Sequence, residues 1–267
     1  MSKLKKLITA VQILIKKPYM LNKVIDDESV HQEAITKRNP QLKNGFPVLD
    51  LLDVVPDFDT TITPFSFLDG GSLITDLALL KGLAKQQANC TYFEVGTWRG
   101  ESVANVASVA KNCFTLNLSN EALRNMGYNG EYLQQQEFFS KNLKNVTHLK
   151  GNSSEFDFSP YYNQCDVVFV DGDHHYESVV NDTKIAFELL KNENSMIVWH
   201  DYASNPGKIR WDILRGIFDG TPNDKKNKLF AVSNTLCAIY TNSPITTIDN
   251  NITPNKMFDV AVSAKKL

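Results

Sequence analysis

The chain has 267 residues, 42% hydrophobic and 22% charged, enough for one ordinary globular core with an appendage. A formal net charge of −2 excludes a chain-wide electrostatic footprint for nucleic acid. Cys90, Cys113, Cys165 and Cys237 form no C-x-x-C pair, which argues against a cysteine-built zinc or redox site, and no apolar run is long enough to span a bilayer. Reduced thiols and a cytoplasmic location are the simplest reading.

From Met1 to about Met20, Leu4, Leu7, Ile8, Val11, Leu14 and Ile15 fall at helical spacing between Lys3, Lys5, Lys6, Lys16 and Lys17, and Pro18 stops the pattern. Gln12 inside the apolar stretch and Lys16-Lys17 after it do not suit a signal peptide. Packing on the core or on a second subunit is the expected fate of this stripe, giving a homo-oligomer in the second case. Contact with an acidic membrane surface is the weaker reading. Residues 21–67, punctuated by Pro40, Pro47, Pro56 and Pro64, read as an accessory or lid region. Residues 1–67 are therefore set apart from a main domain at 68–267. Ser72 is the expected cap of a helix whose buried face carries Leu73, Leu77, Leu80 and Leu83 and which ends near Gln87.

The stretch Tyr92 to Ser102, Y-F-E-V-G-T-W-R-G-E-S, organises the rest. A β-rich run ends in an acid, a glycine turn follows, and a helix starts near Glu101 and continues to about Lys111. Such a unit brings backbone N–H groups close to a nucleotide-like ligand, with Gly96 for the turn and Gly100 for close helix–strand approach. The spacing is E-x-G-x-x-x-G and lacks the G-x-G-x-x-G of dinucleotide binders. Glu94 would repel a pyrophosphate and suits an ammonium or sulfonium.

Cys113 to Leu118 reads as the second strand and Asn145 to Leu149 as the third. Val167 to Val170 is a fully apolar run, the mark of a central parallel strand, followed by D-G-D-H-H and a helix from Tyr176 to about Leu190. Ser195 to Trp199 is a further buried strand, ending in His200-Asp201. A helix over Lys208 to Phe218, an antiparallel pair at Leu229–Val232 and Leu236–Tyr240, and a last strand candidate at Met257 to Val262 complete the chain. Polar clusters at the carboxyl ends of consecutive buried strands are where open α/β sheets place their sites. Asp171 and Asp201 are hard-oxygen metal ligands, and Asp173 and His174 are base candidates.

This layout, with F-E-V-G-T-W-R-G-E-S, F-V-D-G-D-H-H-Y-E-S-V and H-D-Y, resembles class I S-adenosylmethionine (SAM)-dependent methyltransferases over roughly Ser72 to Thr241. Within them it is similar to the bacterial methyltransferase-24 family and, in turn, to macrocin-type sugar O-methyltransferases. The resemblance implies a Rossmann-like, mostly parallel sheet with antiparallel closing strands. It implies SAM as cofactor, held by Glu94, Gly96, Thr97, Trp98, Gly100, Ser102 and Asp171. At the ribose, where relatives commonly carry an acid, stand Asn117 and Leu118, with Glu121 close by; Asn152 and Ser153 take the adenine contacts. It implies a small-molecule or glycan hydroxyl as methyl acceptor. Macrocin-type enzymes bind a divalent metal with an acid at the Asp171 place and an acid pair after the next strand. Here that pair reads His200-Asp201, so a metal on Asp171, His200 and Asp201 would accept a nitrogen donor, and a metal-free mechanism through Asp173 or His174 stays open. An NAD-dependent oxidoreductase and a non-catalytic SAM-fold module are the alternatives.

Overall fold

The computed structural model describes residues 1–18, 20–21, 27–249 and 254–266. Among them, nine strands form one sheet. They are β1 (Val48–Leu49), β2 (Thr91–Val95), β3 (Asn112–Asn117), β4 (Val146–Lys150), β5 (Val167–Val170) and β6 (Met196–Trp199), then β9 (Leu229–Val232), β10 (Ala238–Tyr240) and β11 (Thr247–Ile248). A separate hairpin pairs β7 (Ala203–Asn205) with β8 (Lys208–Ile209). The sheet runs β11-β1-β9-β10-β6-β5-β2-β3-β4, and the five strands from β6 to β4 are parallel. β10 is antiparallel to β6 and to β9, the expected closing pair. This is the Rossmann-like α/β sheet that the sequence predicts.

Strand periodicity divides the core into two layers. Val168 and Val170 of β5 face one way with Phe93, Ile197 and Trp199, under α2 (Glu28–Arg38), α8 (Tyr176–Leu189) and α9 (Trp211–Gly220). Val167 and Phe169 face the other way with Tyr92 and Val198, under α3 (Leu51–Val54), α4 (Ile74–Lys85) and α5 (Glu101–Ala107). Every side chain of β5 and β6 is buried, which is why both read as unbroken apolar runs. Two short helices, α6 (Asn120–Asn125) and α7 (Gly130–Gln135), fill the long polar segment after β3.

Four expectations change. Residue 67 is no seam: β1 enters the main sheet parallel to β9, and Ile35, Leu49 and Leu51 are fully buried in its core. The pairing strand near the carboxyl end is β11 against β1, whereas Met257 to Val262 is unpaired and mostly exposed. Trp211 opens α9, because Lys208 and Ile209 are taken by the β7–β8 hairpin. Leu73 occupies the cap position of α4 in place of Ser72, and Asp76 reaches back to accept its N–H at 2.7 Å.

The amino-terminal helix forms as expected, α1 (Lys3–Lys16), with the Ser2 side chain capping its first turn. None of its residues is buried, so its apolar stripe does not pack on the core. No helix of the described residues is long and apolar enough to cross a membrane.

Candidate functional site

The chain leaves β2 for β3 on one side and later returns to β5 on the other. The strand order therefore reverses between β2 and β5, and open α/β sheets bind ligands outside such a point. The two strand ends there are Val95-Gly96 and Val170-Asp171. The turn after β2 winds through left-handed φ values at Gly96 (+98°), Trp98 (+45°) and Gly100 (+77°). A Cβ on Gly96 would fall on the Asp171 carbonyl oxygen, and one on Gly100 would strike the Ser140 side chain. Gly96 is thus required by the neighbouring backbone, before any ligand is considered.

Beneath this turn Glu94 is fully buried. Tyr92 donates its hydroxyl to Oε2 at 2.8 Å, Thr115 donates to Oε1 at 2.9 Å, and Ser102 adds a third hydroxyl. Thr97 joins the same network, 2.6 Å from Thr115 Oγ1. Burial pushes the carboxyl up to about 8 against the pull of these hydroxyls. At neutral pH Glu94 is therefore a neutral acid. Thr97 and Ser102 turn inward to it, and all three support the turn from below.

On the β3 side, Asn117 donates to Gln136 Oε1 at 2.5 Å. The Trp98 ring lies 4.2 Å from Tyr132, which stacks on Tyr128 at 4.3 Å. Trp98 Nε1 is buried and has no hydrogen-bond partner among the described residues, and the same holds for Gln136 Nε2. Tyr132 in α7 and Gln136 just after it are thus neighbours of Trp98 and Asn117 that strand-end reading does not single out, because their segment carries no motif. Glu121 and Asn152 are exposed, and Leu118 and Ser153 are half-buried.

The second half of the site is a cluster of acids and imidazoles. Asp171 follows β5, and His200 and Asp201 follow β6, with Asp201 at φ +55°. His200 Nδ1 lies 3.2 Å from Asp171 Oδ1 and 3.3 Å from Asp201 Oδ1. Its Nε2 lies 3.2 Å from Oδ2 of Asp76, a fully buried carboxylate that also accepts the Leu236 N–H. His174 Nε2 bridges Asp201 Oδ2 at 2.9 Å and Asp171 Oδ1 at 3.5 Å. Arg210 Nη1 reaches Asp201 Oδ2 at 3.3 Å.

Burial alone would lower His174, but hydrogen bonds to Asp171 and Asp201 outweigh it and raise the imidazole to about 9. His200 is raised in the same way against its burial, chiefly by Asp171. Burial opposes the charge on Asp171, yet His200 and His174 hold it well below the usual carboxylate range. Asp173 stays outside this group. Its carboxylate accepts from His175 Nδ1 at 2.6 Å and Ser178 Oγ at 2.7 Å, at the start of α8. Asp76 and Arg210 are the additions to the residues singled out by strand ends. A lone acid within the apolar T-D-L-A-L-L of α4 is the trace that Asp76 leaves in the sequence.

Asp171, His200 and Asp201 each offer an atom to one point, the three atoms lying within 4.8 Å of one another. Asp76 on Nε2 fixes the His200 ring so that Nδ1 faces that point, the arrangement that metal-ligating histidines use. The donor set of two oxygens and a nitrogen fits manganese, iron or zinc better than magnesium.

Fold and site together define an α/β protein with a glycine turn and an acid–imidazole cluster side by side at the carboxyl edge of its sheet. The segment from β2 to just past β6, residues 93–202, matches the family model described as a methyltransferase domain. An uncharacterised protein of Acanthamoeba polyphaga mimivirus is 29% identical over 139 residues, covering 46% of this chain and 58% of its own length. Among solved structures, an O-methyltransferase from Bacillus cereus in complex with S-adenosylhomocysteine aligns at 15% identity, covering 84% of this chain and 95% of its own, with a TM-score of 0.41. A putative methyltransferase from Bacillus halodurans aligns at 18% identity over 49% and 52% of the two chains, with a TM-score of 0.38.

Proposed function

We propose that this chain is a SAM-dependent O-methyltransferase acting on a hydroxyl of a sugar or other small metabolite. The observation that carries the reading is the adjacency of two strand ends, the glycine turn after β2 and the acid–imidazole cluster after β5 and β6. The match of residues 93–202 to a methyltransferase domain supports it. Trp98 Nε1 supports it too, as a buried donor without a protein partner among the described residues.

In this reading the turn from Gly96 to Gly100 would hold the cofactor, with Trp98 and Tyr132 available to its base and Asn117 and Gln136 to its ribose. Methyl transfer from a sulfonium is an in-line displacement, so the protein must place the acceptor oxygen and remove its proton. A sugar hydroxyl is a poor nucleophile at neutral pH and needs a base or a metal. Asp171, His200 and Asp201 would hold a divalent ion, which when bound would lower the pKa of the acceptor hydroxyl. Asp76 orients His200, and Arg210 holds Asp201. His174, bonded to both acids, is the proton-transfer group closest to that point. Asp171 and Asp201 favour its protonated form, so it could act as a base only after those acids had turned to another cation and its own proton had left to solvent, which would free the ring nitrogen for the acceptor's proton.

The experiment is transfer of a labelled methyl group from SAM to a panel of sugar and phenolic hydroxyl acceptors and of amine acceptors, with and without EDTA. Labelled product with at least one hydroxyl acceptor, lost in EDTA and restored by manganese, is the expected result. Labelled nitrogen products only would refute O-transfer. Full rates in EDTA would remove the metal.

A further inference from the structure

The α1 helix stands apart from the acid–imidazole cluster and from the core. Leu4, Leu7, Ile8, Val11, Leu14 and Ile15 occupy one arc of about 120° on its circumference. Leu4 is 67% exposed, Leu7 61%, Ile8 51%, Val11 47% and Ile15 76%, with Leu14 half-buried, so among the described residues this stripe is largely uncovered. The lysines are not scattered: Lys5 and Lys16 border the arc on one side, and Lys3 and Lys17 on the other, with Lys6 behind them. The first acid of the chain is Asp26, so the helix with its C-cap Lys17 carries five lysines and no acidic side chain.

Charge complementarity decides between occupants. A second copy of α1 packed along Leu4, Leu7, Val11 and Leu14 would bring lysines together with no acid to receive them, and would leave Ile8 and Ile15 at the flanks where opposite charges normally sit. An anionic lipid surface answers both features. The acyl boundary takes the whole apolar arc, and the bordering lysines extend their stems along it to reach head groups. A helix of 14 residues is about 21 Å long, too short to span the hydrocarbon but suited to lie within the interface.

We propose that α1 is an interfacial helix that docks this protein on an anionic lipid surface. The proposal does not rest on methyl transfer. It is tested by flotation of the full chain with vesicles of phosphatidylcholine alone and of phosphatidylcholine with 30 mol% phosphatidylglycerol (about one anionic lipid in three). Binding to the anionic vesicles only, weakening as salt rises from about 0.1 to 0.5 M, is expected. Each lysine near such a surface is worth about fivefold, so Lys5→Gln with Lys16→Gln should weaken binding roughly 25-fold. Leu7→Gln with Val11→Gln should abolish it. Neither pair touches the core, so the thermal midpoint should not move. Equal binding to neutral vesicles, or no loss in the lysine variant, would overturn the electrostatic basis. Failure to bind anionic vesicles overturns the proposal outright. A dimer dissolved by Leu7→Gln with Val11→Gln would then assign the stripe to a second copy.

Discussion

Replacing Glu94 by glutamine should make the protein more stable at neutral pH, although it removes a buried side chain that three hydroxyls contact. The ordinary carboxyl value is 4.5 and burial raises it to about 8. Between those values the folded protein holds the Glu94 proton and the unfolded chain has released it. The unfolded state therefore binds fewer protons, and stability falls as pH rises, by about 1.4 kcal/mol per unit. Over the whole window the loss is on the order of 5 kcal/mol, which at roughly 2–4 °C per kcal/mol is a shift of more than 10 °C. Glutamine keeps the shape and an acceptor oxygen, and its NH2 replaces the acid's O–H as donor, so it bears no such cost. Thermal melts of wild type and Glu94→Gln at half-unit steps from pH 5 to 8 isolate the effect, because other titrating groups cancel in the difference. The gap in favour of glutamine should widen steadily with pH and level off near 8. A gap that stays constant would mean that Tyr92, Thr115 and Ser102 hold Glu94 ionised in the folded state, and would refute the burial argument.

Gly96→Val should prevent stable folding, since its side chain would displace the Asp171 backbone; soluble, normally melting protein would refute that contact. Trp98→Phe keeps the ring stack on Tyr132 and removes only Nε1–H, so S-adenosylhomocysteine affinity should drop about 3- to 10-fold by calorimetry, the worth of one hydrogen bond. Asp171→Asn and Asp201→Asn should each lower methyl transfer at least a hundredfold while leaving S-adenosylhomocysteine affinity within a few-fold (about 1 kcal/mol). Asp173→Asn should keep most activity, because its carboxylate serves His175 and Ser178 away from the cluster; inactivity with normal cofactor binding would return Asp173 to the chemistry.

The parallel core was legible because burial on both faces leaves an unmistakable trace: V-V-F-V and M-I-V-W admit nothing polar. The strand ends were legible for the same reason, since D-G-D-H-H and H-D begin where those runs stop. What escaped comes from long range. β1 is two residues long and carries no periodicity of its own, and only its pairing with β9 and β11 makes it a strand. Asp76 is recruited by His200 from a position 124 residues earlier, and Gln136 meets Asn117 across the α7 segment. From sequence alone Glu94 reads as an anion aimed at a ligand. Parity along β2 places it on the Tyr92 face, inside the core, and that burial rather than its position at a strand end sets its charge.

One calorimetric comparison tests the central claim, that the crevice between β2 and β5 is built for SAM. S-adenosylhomocysteine and NAD are titrated separately into the full chain at pH 7.5. Saturable one-to-one binding of S-adenosylhomocysteine, weakened in Trp98→Phe, with no heat from NAD, is the predicted result. Saturable binding of NAD with none of S-adenosylhomocysteine would contradict it.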